Sequence, residues 1–347
     1  MKSSAITGSI TMTLLRSPKS WDPDHRRAAR ETTPESTYWN RRQVLKALGL
    51  TSLGLALPQG AGCILAEDAL NEAKMVRPAL GKRFADLFPA RRNEAYTLGG
   101  RPLTPEEVPA AYNNFYEFLT NKGKVWGLAQ GYPVDPWKVE IGGLVHKPQT
   151  LDLDDLFTRI PLEERLYRFR CVERWAMQVP WTGYPLRKLL ELAQPMSKAR
   201  YVRFVSFHDP ENLPGQKLMT RYPWPYYEAL RLDEAYHELT LVAVGIYGHA
   251  LPMQHGAPWR LVTPWKYGYK SPKSIVRIEL TDEQPPTFWN DLQPPEYGFF
   301  SNVDPSKPHP RWSQEVEEDI GTLEKRATLL YNGYAQEVAG LYDGSEW

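Results

Sequence analysis

The chain has 347 residues, with 42 Lys and Arg against 41 Asp and Glu, 42% apolar residues and two cysteines. This composition excludes a disulfide-stapled miniprotein, a disordered acidic tail and a collagen-like repeat. The 31 prolines are close to twice the usual ~5% share. Because proline lacks the backbone donor that helices and sheets use, they favour many short strands and loops over a helical bundle.

The first predicted element is an export signal within residues 1–63. Arg41 and Arg42 lie just before the uncharged run ALGLTSLGLALP. This run is too short to cross a ~30 Å hydrocarbon layer, so it fits the apolar part of a signal peptide better than a membrane anchor. Paired arginines before such a run predict a twin-arginine signal, which exports chains already folded. The alternatives are a surface helix after two chance arginines and a lipoprotein attached at Cys63.

Removal of residues 1–63 would leave 33 Lys and Arg against 37 Asp and Glu, a net charge of about −4. Nucleic-acid binding is not expected, because phosphate recognition needs a large local excess of basic residues. Cys171 would be the one remaining cysteine, so no disulfide could form within the exported chain. Residues 64–347 are predicted to form a single catalytic domain that does not itself span the membrane.

Short strand patterns separated by Pro and Gly turns follow along the mature chain. The apolar patterns predict strands over residues 137–145, 166–171, 201–207, 239–246, 257–263 and 274–280. Helical spacing in LRKLLELA predicts a helix over 186–193, and Thr150 is predicted to cap another helix in TLDLDDLF. There is no internal repeat and no glycine-rich phosphate loop. The predicted fold class is α+β, with mixed irregular β-sheets and short helices.

Cys171 is the residue that most needs explaining. Strand alternation places Tyr167, Phe169 and Cys171 on one face, with Arg168 and Arg170 on the other. Nearby cations stabilise a thiolate, so the pKa of the thiol is predicted to fall below its usual ~8.5. Such a sulfur can bind a soft or high-valent metal, attack a substrate as a nucleophile, or fill space as a small buried hydrophobe.

Metal binding by this one thiolate would require other ligands from outside the chain. The seven histidines show no HxH or HExxH spacing, and zinc or iron–sulfur sites need further cysteines or clustered histidines. In an exported chain, an unpaired thiolate is open to oxidation unless a metal occupies it. The sequence therefore favours a metal delivered within an organic cofactor. A cysteine hydrolase with His208 or His255 as its base and a non-catalytic binding module are the alternatives.

A basic and aromatic segment, HALPMQHGAPWRLVTPWKYGYKSPK, forms the second candidate site. Its glycines allow close backbone approach, its cations suit phosphate, and its flat rings can line a cyclic ligand. The cations are His255, Arg260, Lys266, Lys270 and Lys273. Against a negative background, this cluster predicts a phosphate-bearing cofactor. The alternative is a solvated basic strand face.

The third candidate is YNNFYEF, which contains Asn113, Tyr116 and Glu117. Its amide, phenol and carboxylate can match the donors and acceptors at the edge of a heterocycle. The alternative is a helix start capped by asparagine.

Several segments together resemble one enzyme family. They are RRQVLKALGL, YNNFYEF, PLEERLYRFRCVERWAM, PLRKLLELA, LPMQHGAPWRLVTPWKYGYKS, PPTFWN, EYGF, HPRWSQ and LLYNGYA. In this order they resemble the catalytic subunits of bacterial periplasmic protein-methionine-sulfoxide reductases, from Arg41 almost to the C-terminus. The resemblance implies a molybdopterin enzyme with a sulfite-oxidase-type α+β fold.

The resemblance also implies roles for individual residues. Cys171 would be the only protein ligand to molybdenum. The molybdenum–molybdopterin cofactor would be contacted by Asn113, Tyr116, Glu117, Ser206, His255, Arg260, Ser271, Pro272 and Lys273. Ser206 and His255 stand where the family pattern has Thr and Asn, and Pro272 removes a backbone donor from its loop.

The implied reaction is oxygen-atom transfer from methionine sulfoxide in oxidised periplasmic proteins. The implied electron donor is a haem b membrane subunit. Glu173, Arg174 and Trp175 are predicted pocket walls. The nearest alternative is sulfite oxidation on the same fold, which Glu173 would oppose by repelling the sulfite dianion.

Overall fold

The computed structural model describes residues 75–344 and 346. The predicted signal over residues 1–63, with Arg41, Arg42 and Cys63, lies outside these residues. No helix within the described part is long and apolar enough to cross a membrane.

Two β-sheets and a set of short helices make up the described chain. The strands are β1 (Val139–Gly143), β2 (Gln149–Leu151), β3 (Glu163–Arg170), β4 (Trp175–Pro185), β5 (Tyr201–Ser206), β6 (Tyr227–Arg231), β7 (Leu241–Ile246), β8 (His249–Ala250), β9 (Arg260–Val262), β10 (Ile275–Thr281), β11 (Val316–Asp319) and β12 (Lys325–Ala327). The α-helices are α1 (Glu107–Ala111), α2 (Val125–Ala129), α3 (Leu153–Thr158), α4 (Leu186–Ala193), α5 (Pro214–Leu218), α6 (Leu232–Tyr236), α7 (Phe288–Leu292) and α8 (Ala335–Val338).

The first sheet has five strands in the order β2-β1-β10-β5-β6. Strands β1 and β10 are parallel, and the other pairs are antiparallel. Along β5, buried residues alternate with half-buried ones, as expected for a strand whose side chains point to opposite faces. This alternation is the sequence signal that predicted the strand.

The second sheet has seven strands built around β4 and β7. Its main path is β12-β11-β4-β7-β8, with β3 paired to β4 and β9 paired to β7. Strands β3 and β4 form a long antiparallel pair whose register runs from Glu163 opposite Gly183 to Arg170 opposite Ala176. Strand β11 lies parallel to the start of β4. The turn between β3 and β4 is therefore next to the C-terminal strands.

The helix prediction over 186–193 is confirmed by α4, whose leucines at 186, 189 and 190 are buried on one face. The prediction that Thr150 caps a helix was wrong. Thr150 belongs to β2, and α3 begins after Asp152, whose side chain accepts a bond from the backbone N–H of Asp155 at 3.0 Å. Asp155 in turn accepts from the backbone N–H of Asp152, which completes a capping box.

An indole donor connects the two sheets within the core. Trp259, just before β9, donates to the carbonyl of Ile275 in β10 at 3.0 Å, and Trp137 donates to the same carbonyl at 2.9 Å. Trp259 is fully buried, as are Trp181 and Trp265. The loop from β9 to β10 is thus held at its start and end, which positions the residues at 271–273.

Candidate functional site

Cys171 lies in the four-residue turn that joins β3 to β4. Its N–H donates to the carbonyl of Trp175 at 2.9 Å, and the N–H of Arg174 donates to the carbonyl of Cys171 at 3.0 Å. Arg174 has a left-handed φ of 73° and is exposed. The Cys171 side chain is only 6% exposed, and it is the one free cysteine in the described chain.

Two residues lie within hydrogen-bond distance of the thiol in the described chain. The amide Nδ2 of Asn114 lies 3.5 Å from Sγ, and the N–H of Glu173 lies 3.4 Å from it. The Glu173 carboxylate is also close, with Oε2 at 3.7 Å from Sγ. That carboxylate accepts from Asn114 and from the Trp175 indole, and its other oxygen lies 3.0 Å from Lys122 Nζ.

The predicted lowering of the Cys171 pKa was wrong. Burial raises the pKa of this thiol and the Glu173 carboxylate raises it further, against smaller opposing effects from the Glu173 N–H, Lys122 and Arg170. Arg170 is fully buried, and its guanidinium donates to Glu317 and to the Cys171 carbonyl rather than to the thiol. Arg168 donates to the carbonyl of Gly333.

The YNNFYEF segment forms a turn beside the thiol, after α1 has ended, and it is not a helix start. Asn113 is buried and donates to the carbonyl of Ala110 at 2.9 Å. The Tyr116 ring packs edge-on against Trp289, with centroids 5.5 Å apart. Burial raises the pKa of Glu117 to about 7, although nearby Lys273 lowers it.

His255, Arg260 and Lys273 form a second group, here called the cation cluster. Lys273 Nζ donates to the carbonyls of Asn114 and Gln254, both at 2.9 Å. Arg260 donates to the carbonyl of His255 at 3.1 Å. His255 and Arg260 are buried and Lys273 is partly buried, so the predicted alternative of a solvated basic face was wrong.

The loop around the cation cluster contains the other predicted contact residues. Arg260 donates to the carbonyl of Ser271 at 3.1 Å, and the Ser206 hydroxyl donates to the carbonyl of Lys273 at 2.7 Å. Pro272 accepts from the N–H of Leu261 at 3.0 Å. The structure therefore brings 206, 255, 260 and 271–273 together, and Pro272 uses its carbonyl there.

Burial makes the positive charge of the cation cluster costly. It lowers the pKa of His255 and of Lys273 well below their usual values, and the other cluster cations lower them further. Burial also lowers the pKa of Arg260 to about 9. The Glu117 carboxylate acts in the opposite direction and raises the pKa of Lys273. An anion bound here would offset this cost.

One comparison with known proteins bears on the cofactor. Residues 129–289 match the family model described as "Oxidoreductase molybdopterin binding domain". This stretch of the chain therefore matches a molybdopterin-binding oxidoreductase domain. The predicted molybdenum–molybdopterin cofactor and the predicted α+β fold are both confirmed. Cys171 and the cation cluster lie within the matched residues, and the segment with Asn113, Tyr116 and Glu117 precedes them.

Among solved structures, the chain is similar to the sulfane dehydrogenase SoxCD from Paracoccus pantotrophus. The two share 18% sequence identity with a TM-score of 0.40. The match covers 51% of this chain and 49% of that one, so this chain spans about half the length of the SoxCD chain.

The side chains present fit the cofactor of a molybdopterin-binding domain. The phosphate group and the sulfur atoms of a molybdopterin are negatively charged. The cation cluster provides buried positive charge for the phosphate. Near the thiol, Asn114 Oδ1 and the Tyr267 hydroxyl are buried without a hydrogen-bond partner in the described chain. Such buried polar atoms need a partner. No group of three or more His, Cys, Asp or Glu within residues 75–344 is arranged to hold a metal ion.

Sequence reasoning missed some residues of the site and misplaced others. Lys122 has no motif around it that indicates a role beside Cys171. Gln314 lies in the HPRWSQ segment, but nothing in the sequence linked that segment to Cys171. Asn114 was present in the YNNFYEF segment but was not singled out. Lys266 and Lys270 were expected with the cation cluster but bind buried carboxylates, Glu234 at 2.5 Å and Glu228 at 2.6 Å.

Proposed function

We propose that this chain reduces methionine sulfoxide in oxidised periplasmic proteins, at a molybdenum centre bound by Cys171. The observation that carries the proposal is the surroundings of the Cys171 thiol within the molybdopterin-binding domain. This sulfur lies against Asn114 and Glu173, and the cation cluster is linked to it through Lys273 and Asn114. The resemblance of the ordered sequence segments to the periplasmic reductases supports the choice of substrate.

Each predicted site residue has a role in the proposed holoenzyme. The Cys171 thiolate would bind molybdenum, and His255, Arg260 and Lys273 would bind the phosphate of the pterin. The remaining predicted contacts with the pterin would be made by Asn113, Tyr116, Glu117, Ser206, Ser271 and Pro272. When bound, the molybdenum cofactor supplies two-electron oxygen-atom transfer, in which a sulfoxide, two electrons and two protons give a thioether and water.

Glu173 supports a neutral substrate over sulfite. Burial acts to raise the pKa of its carboxyl, but Lys122, Asn114 and Trp175 together hold that pKa below its usual value. The carboxylate is therefore ionised at neutral pH, with one oxygen 3.7 Å from the Cys171 sulfur. A negative charge so close to the metal ligand repels a sulfite dianion and leaves a neutral sulfoxide unaffected.

Aromatic rings near the thiol suit the apolar part of methionine sulfoxide. Trp289 packs against Tyr116 and against Tyr297, with centroids 5.5 and 5.2 Å apart. Tyr297 belongs to the small apolar cluster that contains Cys171, and Trp289 packs against it. Sulfur and methyl groups pack favourably on aromatic rings. These rings would bind the methyl thioether that the reaction releases.

A cysteine hydrolase is disfavoured by the same site. Neither His208 nor His255 is hydrogen-bonded to the Cys171 thiol in the described chain, where its partners are Asn114 and Glu173. Burial raises the pKa of the thiol, whereas a nucleophilic cysteine needs a lowered one.

Export and electron supply complete the proposal. The twin-arginine signal in residues 1–63 would deliver the folded, cofactor-loaded chain to the periplasm. Electrons would come from a haem b membrane subunit, in a small and transient contact typical of electron-transfer partners.

The decisive experiment compares the parent enzyme with the Cys171→Ser variant, both made in cells that synthesise molybdopterin. We expect about one molybdenum per parent chain and oxidation of a reduced viologen dye that depends on methionine sulfoxide. Cys171→Ser should lose this turnover by at least ~10³-fold, since it removes the metal ligand. Sulfite-dependent dye reduction without sulfoxide turnover would instead establish the sulfite-oxidising alternative. A metal-free protein with a rapidly alkylated Cys171 would indicate the hydrolase.

A further inference from the structure

The C-terminal segment over residues 312–328 contacts the Cys171 turn, although it lies beyond the family match at 129–289. Its donors are directed at carbonyl oxygens of the turn. The carbonyl of Val172 accepts from Trp312 Nε1 at 2.9 Å and from Gln314 Nε2 at 2.8 Å. The carbonyl of Arg174 accepts from the N–H of Glu318 at 2.8 Å. Two peptide groups of the turn, the one after Val172 and the one after Arg174, are thus held by one segment.

The guanidinium of Arg170 connects the same segment to Cys171. It donates to the carbonyl of Cys171, to Glu317 Oε2 at 3.1 Å and to Gln314 Oε1 at 2.8 Å. Thr328 Oγ1 lies 3.3 Å from it. Arg170 is fully buried, and Gln314 and Glu317 are each 1% exposed. Buried charge-assisted bonds of this kind hold a fixed geometry.

Gln314 is central to this network because the oxygen and the nitrogen of its side-chain amide both make hydrogen bonds. Its oxygen accepts from Arg170, and its nitrogen donates to Val172. An amide flip would direct a donor at the guanidinium and an acceptor at the carbonyl, which breaks both bonds. The side chain therefore fixes the Val172 carbonyl relative to Arg170 and, through Arg170, relative to the Cys171 carbonyl.

We propose that Gln314 is a positioning residue, which with Trp312 and Arg170 orients the Cys171 turn and hence the sulfur that binds the metal. The direction of the Cys171 side chain follows its backbone, so two fixed neighbouring carbonyls restrict where the sulfur can point. The proposal rests on the proposed role of Cys171 as metal ligand. Groups that orient a metal ligand typically change metal affinity or activity by 10- to 100-fold when lost.

Two substitutions remove the donors to the Val172 carbonyl independently. Gln314→Glu keeps an acceptor for Arg170 but places an oxygen against that carbonyl. Trp312→Phe retains a ring but loses the indole N–H. The matched control is Thr328→Val, which removes a contact with the Arg170 guanidinium and leaves every bond to the turn in place.

The measurements use the molybdenum-loaded enzyme. We expect both test variants to shift the g-values of the molybdenum(V) electron paramagnetic resonance spectrum. Amide hydrogen exchange in the peptide over residues 171–176 should become roughly fivefold faster, as expected for one lost hydrogen bond. Thr328→Val should match the parent in both. Unchanged spectra in both test variants, or an equal shift in Thr328→Val, would overturn the proposal. If Gln314→Glu fails to load molybdenum, Trp312→Phe decides alone.

The outcome is separable from that of the proposed function. Shifted spectra in a parent enzyme that does not turn over methionine sulfoxide would support the positioning role and refute the substrate. A Cys171→Ser enzyme that retains the parent's molybdenum spectrum would refute the ligand assignment, and the positioning role with it.

Discussion

Two groups of buried cations come from the same stretch of sequence and are neutralised in different ways. Lys266 and Lys270 are each 1% exposed, and each binds a fully buried glutamate. Lys273 and Arg260 of the cation cluster donate their side-chain hydrogen bonds to backbone carbonyls. Burial lowers the pKa of Lys266 only to about 8, because Glu234 opposes the effect. Burial also lowers the pKa of Lys273 well below its usual value, although no carboxylate is hydrogen-bonded to it in the described chain.

The difference separates structural charge from charge available to a ligand. A buried ion pair is complete within the protein, and removal of one partner leaves the other uncompensated. A carbonyl-bound cation has its hydrogen bonds satisfied but has no carboxylate paired with it, so its positive charge is costly until an anion binds. The cation cluster therefore retains an attraction for an anion that the two ion pairs no longer have, which fits the phosphate of the cofactor.

The largest expected effect is a loss of folding stability when one of the two buried ion pairs is broken. Lys270→Met leaves the Glu228 carboxylate buried without its cation, and one of its oxygens already lacks a hydrogen-bond partner. We expect the free energy of unfolding, measured by urea titration, to fall by about 3–5 kcal/mol. Molybdenum per folded chain should stay at the parent level. Adding Glu228→Gln should restore much of the lost stability, and a single variant as stable as the parent would contradict this view of the pair.

Lys273→Met should weaken cofactor binding, which Lys270→Met leaves unchanged. It removes two charged hydrogen bonds and leaves no buried carboxylate bound to it by an ion pair in the described chain. Because hydrogen bonds to charged groups contribute about 1.5–3 kcal/mol, cofactor affinity should fall by roughly 10- to 100-fold. Molybdenum retained during dialysis measures this loss, with Lys270→Met as the matched control. Equal retention in both variants would remove the distinction between the two groups.

The smallest expected effect concerns Glu117, the carboxylate near the cation cluster. Burial raises its pKa from 4.5 to about 7 in the folded chain. The folded chain therefore holds this proton more tightly than the unfolded chain. The resulting stability is fully present below about pH 4.5 and is lost as the pH rises through about 7. Glu117→Gln should flatten this decline in urea titrations of the cofactor-free chain. An unchanged slope would show that Glu117 is already ionised beside Lys273.

Local periodicity was enough to predict much of the fold. The helix at 186–193 and the strand that leads to Cys171 were visible because their apolar residues recur at the helical or strand period. Strand β4, which follows the Cys171 turn, was not predicted. The choice of Thr150 as a cap failed because Asp152, two residues later, competes for the same role with a better acceptor.

The charges at the site could not be sorted from the sequence. Arg170 lies next to Cys171 in the chain, yet its guanidinium binds Glu317, which is 147 residues away. Lys266 and Lys270 likewise have partners in elements that the local sequence does not reveal. Proximity along the chain therefore predicted a thiolate stabilised by arginines, while the fold directs those arginines elsewhere and buries the thiol.

Lys273 connects the proposed phosphate end of the cofactor site to the Cys171 end. Its ammonium holds the backbone of Asn114, and the side chain of that asparagine contacts both the Cys171 sulfur and Glu173. A substitution that shifts Lys273 should therefore also shift Asn114 against the sulfur. Cofactor retention and the redox potential of the metal are then expected to change together.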